Sequence, residues 1–304
     1  MKRALLLLVL MVGVVVGGVS AQEDTISEDE LDLIDYVAEA FDNMSDLETV
    51  STEADQTIEQ TIEAAGQTIE QTIVQTVTGV TIFGDDLALE STVVQEITTV
   101  AGFQNITVDM TMDMIALNES LWVRVRDVSA IVANQFPSGW VDLADNPTAI
   151  PGMEMFDIDQ MLQQTNSALN YPITAESVSS IVEADGDEID GQAMRVFEIA
   201  IDWEGFIASD EFEIIRSMFN PGVGNVDVDA MMEQMFEGAT IELVVFIGED
   251  DELVHQVDIV MNIDAAIEDV IPGVDTMDMV QDLVGSYRYF DFNVQVEIET
   301  PSDL

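Results

Sequence analysis

The chain's one histidine, His255, stands in LVHQVDIVMNI at odd spacing with Leu253, Val257, Ile259, Met261 and Ile263. Acid–base or metal chemistry would need a partner for it, and the chain offers no second histidine and no cysteine. On a strand this spacing places the ring with the apolar side chains, where a lone histidine reads as a hydrogen-bonded lining residue rather than a catalyst or metal ligand. The stretch ADGDEIDG, with Asp185, Asp187 and Asp190, invites a calcium loop. Ile189 occupies the fifth position from Asp185 and no glutamate falls at the twelfth, so the EF-hand spacing is absent and the segment from Ala184 to Gly191 reads as a turn. No nucleophile elbow or zinc spacing is present, and among 61 acidic residues spacing alone selects no catalytic pair. The expectation is a protein that is not an enzyme, with neither cofactor nor metal. Met110, Met112 and Met114, together with Met231, Met232 and Met235, leave two readings open: core filler, or an adaptable pocket that repacks around varied apolar guests.

Charge narrows the partners. The 304 residues carry 61 acids against seven Lys plus Arg, a formal net charge of −54, so nucleic acid and anionic membrane surfaces are both repelled. Two of the seven bases, Lys2 and Arg3, open MKRALLLLVLMVGVVVGGVSAQ, in which an apolar run from Ala4 to Val16 leads to the small-residue ending Val19-Ser20-Ala21. That is the form of a secretory signal, residues 1–21, cleaved before Gln22. An uncleaved anchor is the alternative, and the run is shorter than the roughly 20 residues a spanning helix needs. Residues 22–27 then form an acidic leader and residues 28–304 a single domain, secreted or periplasmic. Without a lipobox cysteine the mature chain has no stable membrane anchor and no disulfide framework. Apolar residues make up 48%, enough to fill a core, and nothing in the sequence specifies an oligomer.

The elements that would position these residues follow from periodicity. Ser27 and Glu30 have capping-box spacing ahead of Leu31, Ile34, Ala38, Phe41 and Met44, which predicts an amphipathic helix from about Glu28 to Asn43. From Leu47 to Arg126 the dominant period is two, most clearly where Ile106, Val108, Met110, Met112 and Met114 alternate with Thr107, Asp109, Thr111 and Asp113. Leu87, Leu89, Val93 and Ile97 form a similar face before it, and Leu121, Val123 and Val125 another after the turn-like Leu117-Asn118-Glu119. The near-repeat QTIEQTIEAAGQTIEQTIVQT, Gln56 to Thr76, fits both periods. Its β-branched content and the glycine at Gly66 favour an antiparallel hairpin around Ala64-Ala65-Gly66 over a helical hairpin. In the second half Gln135 to Leu143 reads as a loop anchored by a tryptophan. Asp157–Leu169, Ser209–Phe219, Asp227–Phe236 and Asp275–Val284 read as helices, the last two with Gly238 and Gly285 as C-caps. Strands are predicted at Ser177–Glu183, Met194–Ile201, Thr240–Ile247, Glu252–Ile263 and Tyr287–Glu299, with Gly248 to Asp251 turning a hairpin.

This order of elements, with the phrases AEAFDNMSDLETV, GWVDL, ADGDEIDGQAMRVFEI, IELVVFIGEDDELVHQVDIVM and FNVQVEIETP, resembles the LolA/LppX-like lipoprotein-carrier superfamily over most of the mature chain. The resemblance implies an α+β fold: a strongly curved antiparallel sheet, an unclosed half-barrel, with helices covering its concave face and an apolar cavity between them. It also implies lipid or a lipid-like apolar molecule as ligand, bound without chemical change. Mycobacterial relatives carry an anchoring cysteine that this chain lacks. On the apolar strand faces the candidate lining residues are Val108, Met110, Met112, Val123, Val257, Ile259, Phe292 and Val294. The alternative function is a secreted interaction or sensing domain of the same fold whose cavity is filled by side chains.

Overall fold

A computed structural model describes residues 26–302, apart from 65, 85–86, 118–119, 147, 151–172, 203–233, 236–238 and 269–275. The signal and leader, and the helices expected at Asp157–Leu169 and Ser209–Phe219, lie outside the described residues. So does most of the helix expected at Asp227–Phe236, of which Gln234 and Met235 are helical. Helix α1 spans Glu28–Ser45. It opens as its sequence requires: the Ser27 hydroxyl accepts from the Glu30 backbone N–H at 3.3 Å while the Glu30 carboxylate accepts from the Ser27 N–H at 2.8 Å. One face of α1, with Ile34, Val37, Ala40, Phe41 and Met44, is buried. Burying each of its large side chains contributes about 1.5–3 kcal/mol.

Eleven strands form one antiparallel sheet. They are β1 Thr49–Ala64, β2 Gln67–Ile82, β3 Ala88–Ala101, β4 Gln104–Leu117, β5 Ser120–Arg126, β6 Val141–Asp142, β7 Val178–Ile189, β8 Gln192–Ile201, β9 Thr240–Gly248, β10 Val254–Glu268 and β11 Thr276–Phe290. The spatial order is β6-β5-β4-β3-β2-β1-β11-β10-β9-β8-β7, so two meanders join where β1 pairs with β11, and β6 and β7 are the edges. The near-repeat is the β1–β2 hairpin. Ala64 faces Gln67, Ile62 faces Ile69 and Ile58 faces Ile73, and Gly66 takes the φ of +75° that a tight turn demands.

Four expectations are corrected. The helix expected at Asp275–Val284 is not formed, because its described residues, Thr276 to Val284, lie in β11, paired with β1 and β10. Gly285 is therefore no helix cap; it sits mid-strand, where a Cβ would come within 3.0 Å of Ile259 Cγ2 and 3.2 Å of Tyr287 Cε2. The strand expected to run to Glu299 stops at Phe290, where Asp291 and Asn293 turn the chain out of the sheet with φ of 53° and 57°. The turn expected over Ala184–Gly191 is confined to its end: β7 continues through a bulge to Ile189, and Asp190 and Gly191, at φ 53° and 87°, make the turn. Within the loop of Gln135 to Leu143, Val141 and Asp142 form the short edge strand β6, with Val141 facing Val123.

Directly paired residues on neighbouring strands share a face of the sheet. Following the register, Val108, Ile97, Ile73, Ile58, Leu283, Met261 and Ile241 make one row across seven strands on the face that bears α1. The principal core lies there, gathering side chains of α1, β1, β2 and β7 to β11, with α1 packed against β7 and β10. A second cluster on the same face joins Leu121, Val123 and Val125 to Leu143 and Ile150 from the loop after β5. The outer face carries the charge. Asp55, Glu59, Glu63, Glu70, Asp264, Asp278 and Asp282 are all exposed on it, and Glu59 lies directly opposite Asp282. At one end of that face the tail after β11 lays Val296 and Ile298 over Ala88, Ile115 and Trp122.

Candidate ligand-binding face

Six of the eight candidate lining residues share the helix-bearing face. Val108, Met110 and Met112 face Ile97, Gln95 and Val93, Val123 faces Met114, and Val257 and Ile259 face Val245 and Leu243. They fall in two groups. Val257 and Ile259, at 0% and 1% exposure, are packed in the principal core with α1. Met110 and Met112 are half-buried against Val123 in the second cluster, beneath Val128 and Phe136 of the loop after β5, and Val108 is half-buried beside them on β4. Phe292 packs at the edge of the principal core, whereas Val294, 48% exposed, lies on the tail beyond the sheet.

His255 is fixed at a hairpin end. Because Val254 faces Ile247 and Gln256 faces Phe246, His255 is the extra residue of a bulge. Its Nε2 lies 3.0 Å from the Asp251 carboxylate, and its ring meets Phe292 edge-on at 5.0 Å. Burial works against the charged Asp251 carboxyl, yet bonds from the Gln192 side chain, the Leu253 N–H and His255 hold it below its ordinary range. Among the described residues no group of three or more His, Cys, Asp or Glu is placed to hold a metal ion.

The same face also holds polar rows that periodicity did not single out as functional. Gln281, Gln60, Gln71 and Thr99 form one row, and Gln56, Gln75 and Gln95 another, on either side of the apolar row through Leu283, Ile58, Ile73 and Ile97. Gln60 Nε2 donates to Gln281 Oε1 at 3.2 Å, Gln71 Nε2 to Thr99 Oγ1 at 3.4 Å, and Gln95 Nε2 to Gln75 Oε1 at 3.4 Å. Gln281 is 0% exposed and its Nε2 has no acceptor among the described residues; Ser91 Oγ, buried opposite Met114, likewise has no partner among them. A buried amide donor left without an acceptor costs about 1–3 kcal/mol. The sequence carried the signal: in QTIEQTI the glutamines have the same parity as the isoleucines, so on a strand they must share the isoleucines' face.

The outer face differs in kind. Arg124 and Arg126 both hold Asp113, with Arg124 also stacked 4.6 Å from the Trp140 ring. A shallow, open groove of about 470 Å³ crosses its middle, lined by Asp55, Thr57, Val74, Asp258, Val260 and Val284 among others. Its carboxylates and its exposure to solvent suit it poorly to enclosing an apolar molecule.

No protein-family model matches the chain, and no curated protein matches it. Among solved structures it is similar to LprF from Mycobacterium bovis, at 11% identity over 91% of this chain and 99% of that one, with a TM-score of 0.38. It is also similar to the lipoprotein LppX from Mycobacterium tuberculosis, at 12% identity over 90% and 100% of the two chains and a TM-score of 0.38. A DUF1329 family protein from Desulfovibrio piger follows at 10% identity, coverage of 89% and 95%, and a TM-score of 0.24. Function is read from the chain's own side chains.

Proposed function

We propose that the protein is an extracytoplasmic, non-catalytic carrier or binding protein for a lipid or similar apolar molecule, held on the helix-bearing face of the sheet. The observation that carries this reading is the unbroken apolar row from Ile241 to Val108, which belongs to the principal core from Ile241 to Ile73 and remains half-buried at Val108, beside Met110 and Met112. A half-buried methionine stripe on a sheet face repacks around guests of different shape at little cost. Burying an acyl chain of a dozen methylenes there would contribute on the order of 10 kcal/mol before entropy losses. Export fits the N-terminal pattern from Lys2 to Ala21, with the mature chain starting at Gln22. The full burial of Val257 and Ile259 favours a second reading, in which that end of the face is filled by its own side chains and the domain serves interaction or sensing.

Uptake of a fluorescent fatty-acyl ester separates the two. Wild type should bind it, and Met110→Asp, with circular dichroism unchanged, should bind at least tenfold more weakly. No uptake by wild type, together with a bare polypeptide in native mass spectrometry of purified material, would replace the carrier reading by the interaction domain.

A further inference from the structure

The glutamines of the helix-bearing face have no role in holding an apolar guest, and buried polar rows inside a core face are unfavourable unless something satisfies them. They are also not isolated. Gln60, Gln71 and Gln281 are buried, while Gln75 and Gln95 are half-buried, so the polar band runs from a closed end at Gln281 to a partly open one on β2 and β3. The two buried side-chain atoms that lack any partner among the described residues, Gln281 Nε2 and Ser91 Oγ, both lie on this face. One is an amide donor with nothing to donate to; the other can donate or accept.

We infer that the glutamine band recognises the uncharged hydrogen-bonding group of an amphipathic lipid whose apolar body lies along the row between the two polar rows. This rests on the carrier reading and adds to it the ligand's polar chemistry. Glutamine amides offer both donors and acceptors but no charge, so they suit an ester, amide or hydroxyl rather than a carboxylate or phosphate. The surroundings point the same way. The arginine described on this face, Arg195, is bound to Glu183 at 2.8 Å and stacked 4.0 Å from the Tyr36 ring, so among the described residues no free cation faces the band. In a chain of net charge −54 an anionic headgroup would be opposed by the whole molecule's field. The spacing fits as well: the two polar rows are four residues apart along each strand, roughly 13 Å at about 3.3 Å per residue, with the apolar row midway. A ligand lying between them meets hydrogen-bonding groups on both sides of its chain.

The test compares equilibrium uptake of radiolabelled dioleoylglycerol, oleate and hexadecane by wild type, Gln281→Leu and Gln75→Leu. Wild type should prefer dioleoylglycerol to both others. Gln281→Leu should weaken dioleoylglycerol about tenfold and leave hexadecane unchanged or tighter. Gln75 is half-buried, so its leucine variant carries the same comparison should Gln281→Leu fail to fold. An unchanged ratio of dioleoylglycerol to hexadecane in the folded variants would overturn the inference while leaving the carrier reading intact, as would wild-type preference for oleate. Uptake of none of the three by wild type would remove the carrier reading itself and this inference with it.

Discussion

Replacing Asp113 by asparagine tests whether the outer-face ion cluster fastens the β4–β5 hairpin. The carboxylate accepts from Arg124 Nε at 3.1 Å and Nη2 at 2.7 Å, from Arg126 Nε at 2.8 Å and Nη2 at 3.0 Å, and from Thr92 Oγ1 at 3.0 Å. Asparagine keeps the shape but has a single acceptor oxygen and turns an NH₂ group towards guanidinium donors. Hydrogen bonds to charged groups contribute about 1.5–3 kcal/mol when buried. The arginine side chains are 36% and 45% exposed, however, and turn to water once released, so the expected loss is about 2 kcal/mol in all. The pH dependence identifies the cause. Burial raises the Asp113 pKa, but bonds from Arg126, Arg124 and Thr92 outweigh it and bring it from 3.8 down to about 2. A carboxyl whose pKa is depressed in the folded chain contributes its full stability above the unfolded value near 3.8 and loses it as pH falls through about 2. Equilibrium urea unfolding of wild type and Asp113→Asn should therefore give midpoints well separated at pH 7 and nearly coincident at pH 2. A gap of the same size at both pH values would show that packing rather than charge holds the hairpin, and a gap below about 0.5 kcal/mol at pH 7 would refute the cluster's structural role.

Gly285→Leu should cost about 3 kcal/mol and Gly285→Ala about 1 kcal/mol in urea unfolding, because the added carbons must displace Ile259 and Tyr287; near-neutral values would contradict the close approach of β10 and β11 at this point. The carboxylates that face each other on the outer surface, Glu59 with Asp282, Glu63 with Asp278 and Glu96 with Asp109, should make the fold firmer in salt. Raising sodium chloride from 0.1 to 1 M shortens the screening length from about 10 to 3 Å and should raise the urea midpoint, and a flat or falling midpoint would mean that the paired acids do not repel.

Strands whose inward residues are apolar and whose outward residues are polar were legible from sequence. The run from Ile106 to Asp113 is one, and in the near-repeat the pairing of Ile58 with Ile73 and Ile62 with Ile69 bears out the hairpin. Reading failed where that rule is inverted. In β11 an inward residue is Gln281, while Val280 and Val284 point outward at 45% and 56% exposure. Met277, Val280, Val284 and the glycine after them then have helical spacing by accident of composition, and only pairing with β1 and β10 overrides it. In β7 the acidic AspGlyAspGlu stretch looked like turn chemistry, yet an edge strand with a bulge tolerates it. Of the candidate site, the shared face was legible because parity alone defines it. Which of its residues α1 buries was not, since that depends on a contact between elements far apart in the chain. The inward glutamines share the isoleucines' parity and so were legible by position, but parity gives no sign of which of them keep an unpartnered donor.

The two edges of the sheet are badly matched: β6 has two residues and β7 has twelve, with a bulge and the acids Glu183, Asp185, Asp187 and Glu188 along it. A barrel closes only when its last strand can zip along its first, and two residues cannot satisfy twelve, so the sheet is held permanently ajar. The same mismatch governs encounters between molecules. Large open sheets invite a neighbour to add its own strand and so begin a fibril, but a second copy approaching β7 would bring carboxylates against carboxylates, and one approaching β6 would find almost no backbone to bond. An unfinished barrel can in this way persist at high concentration without growing into a polymer.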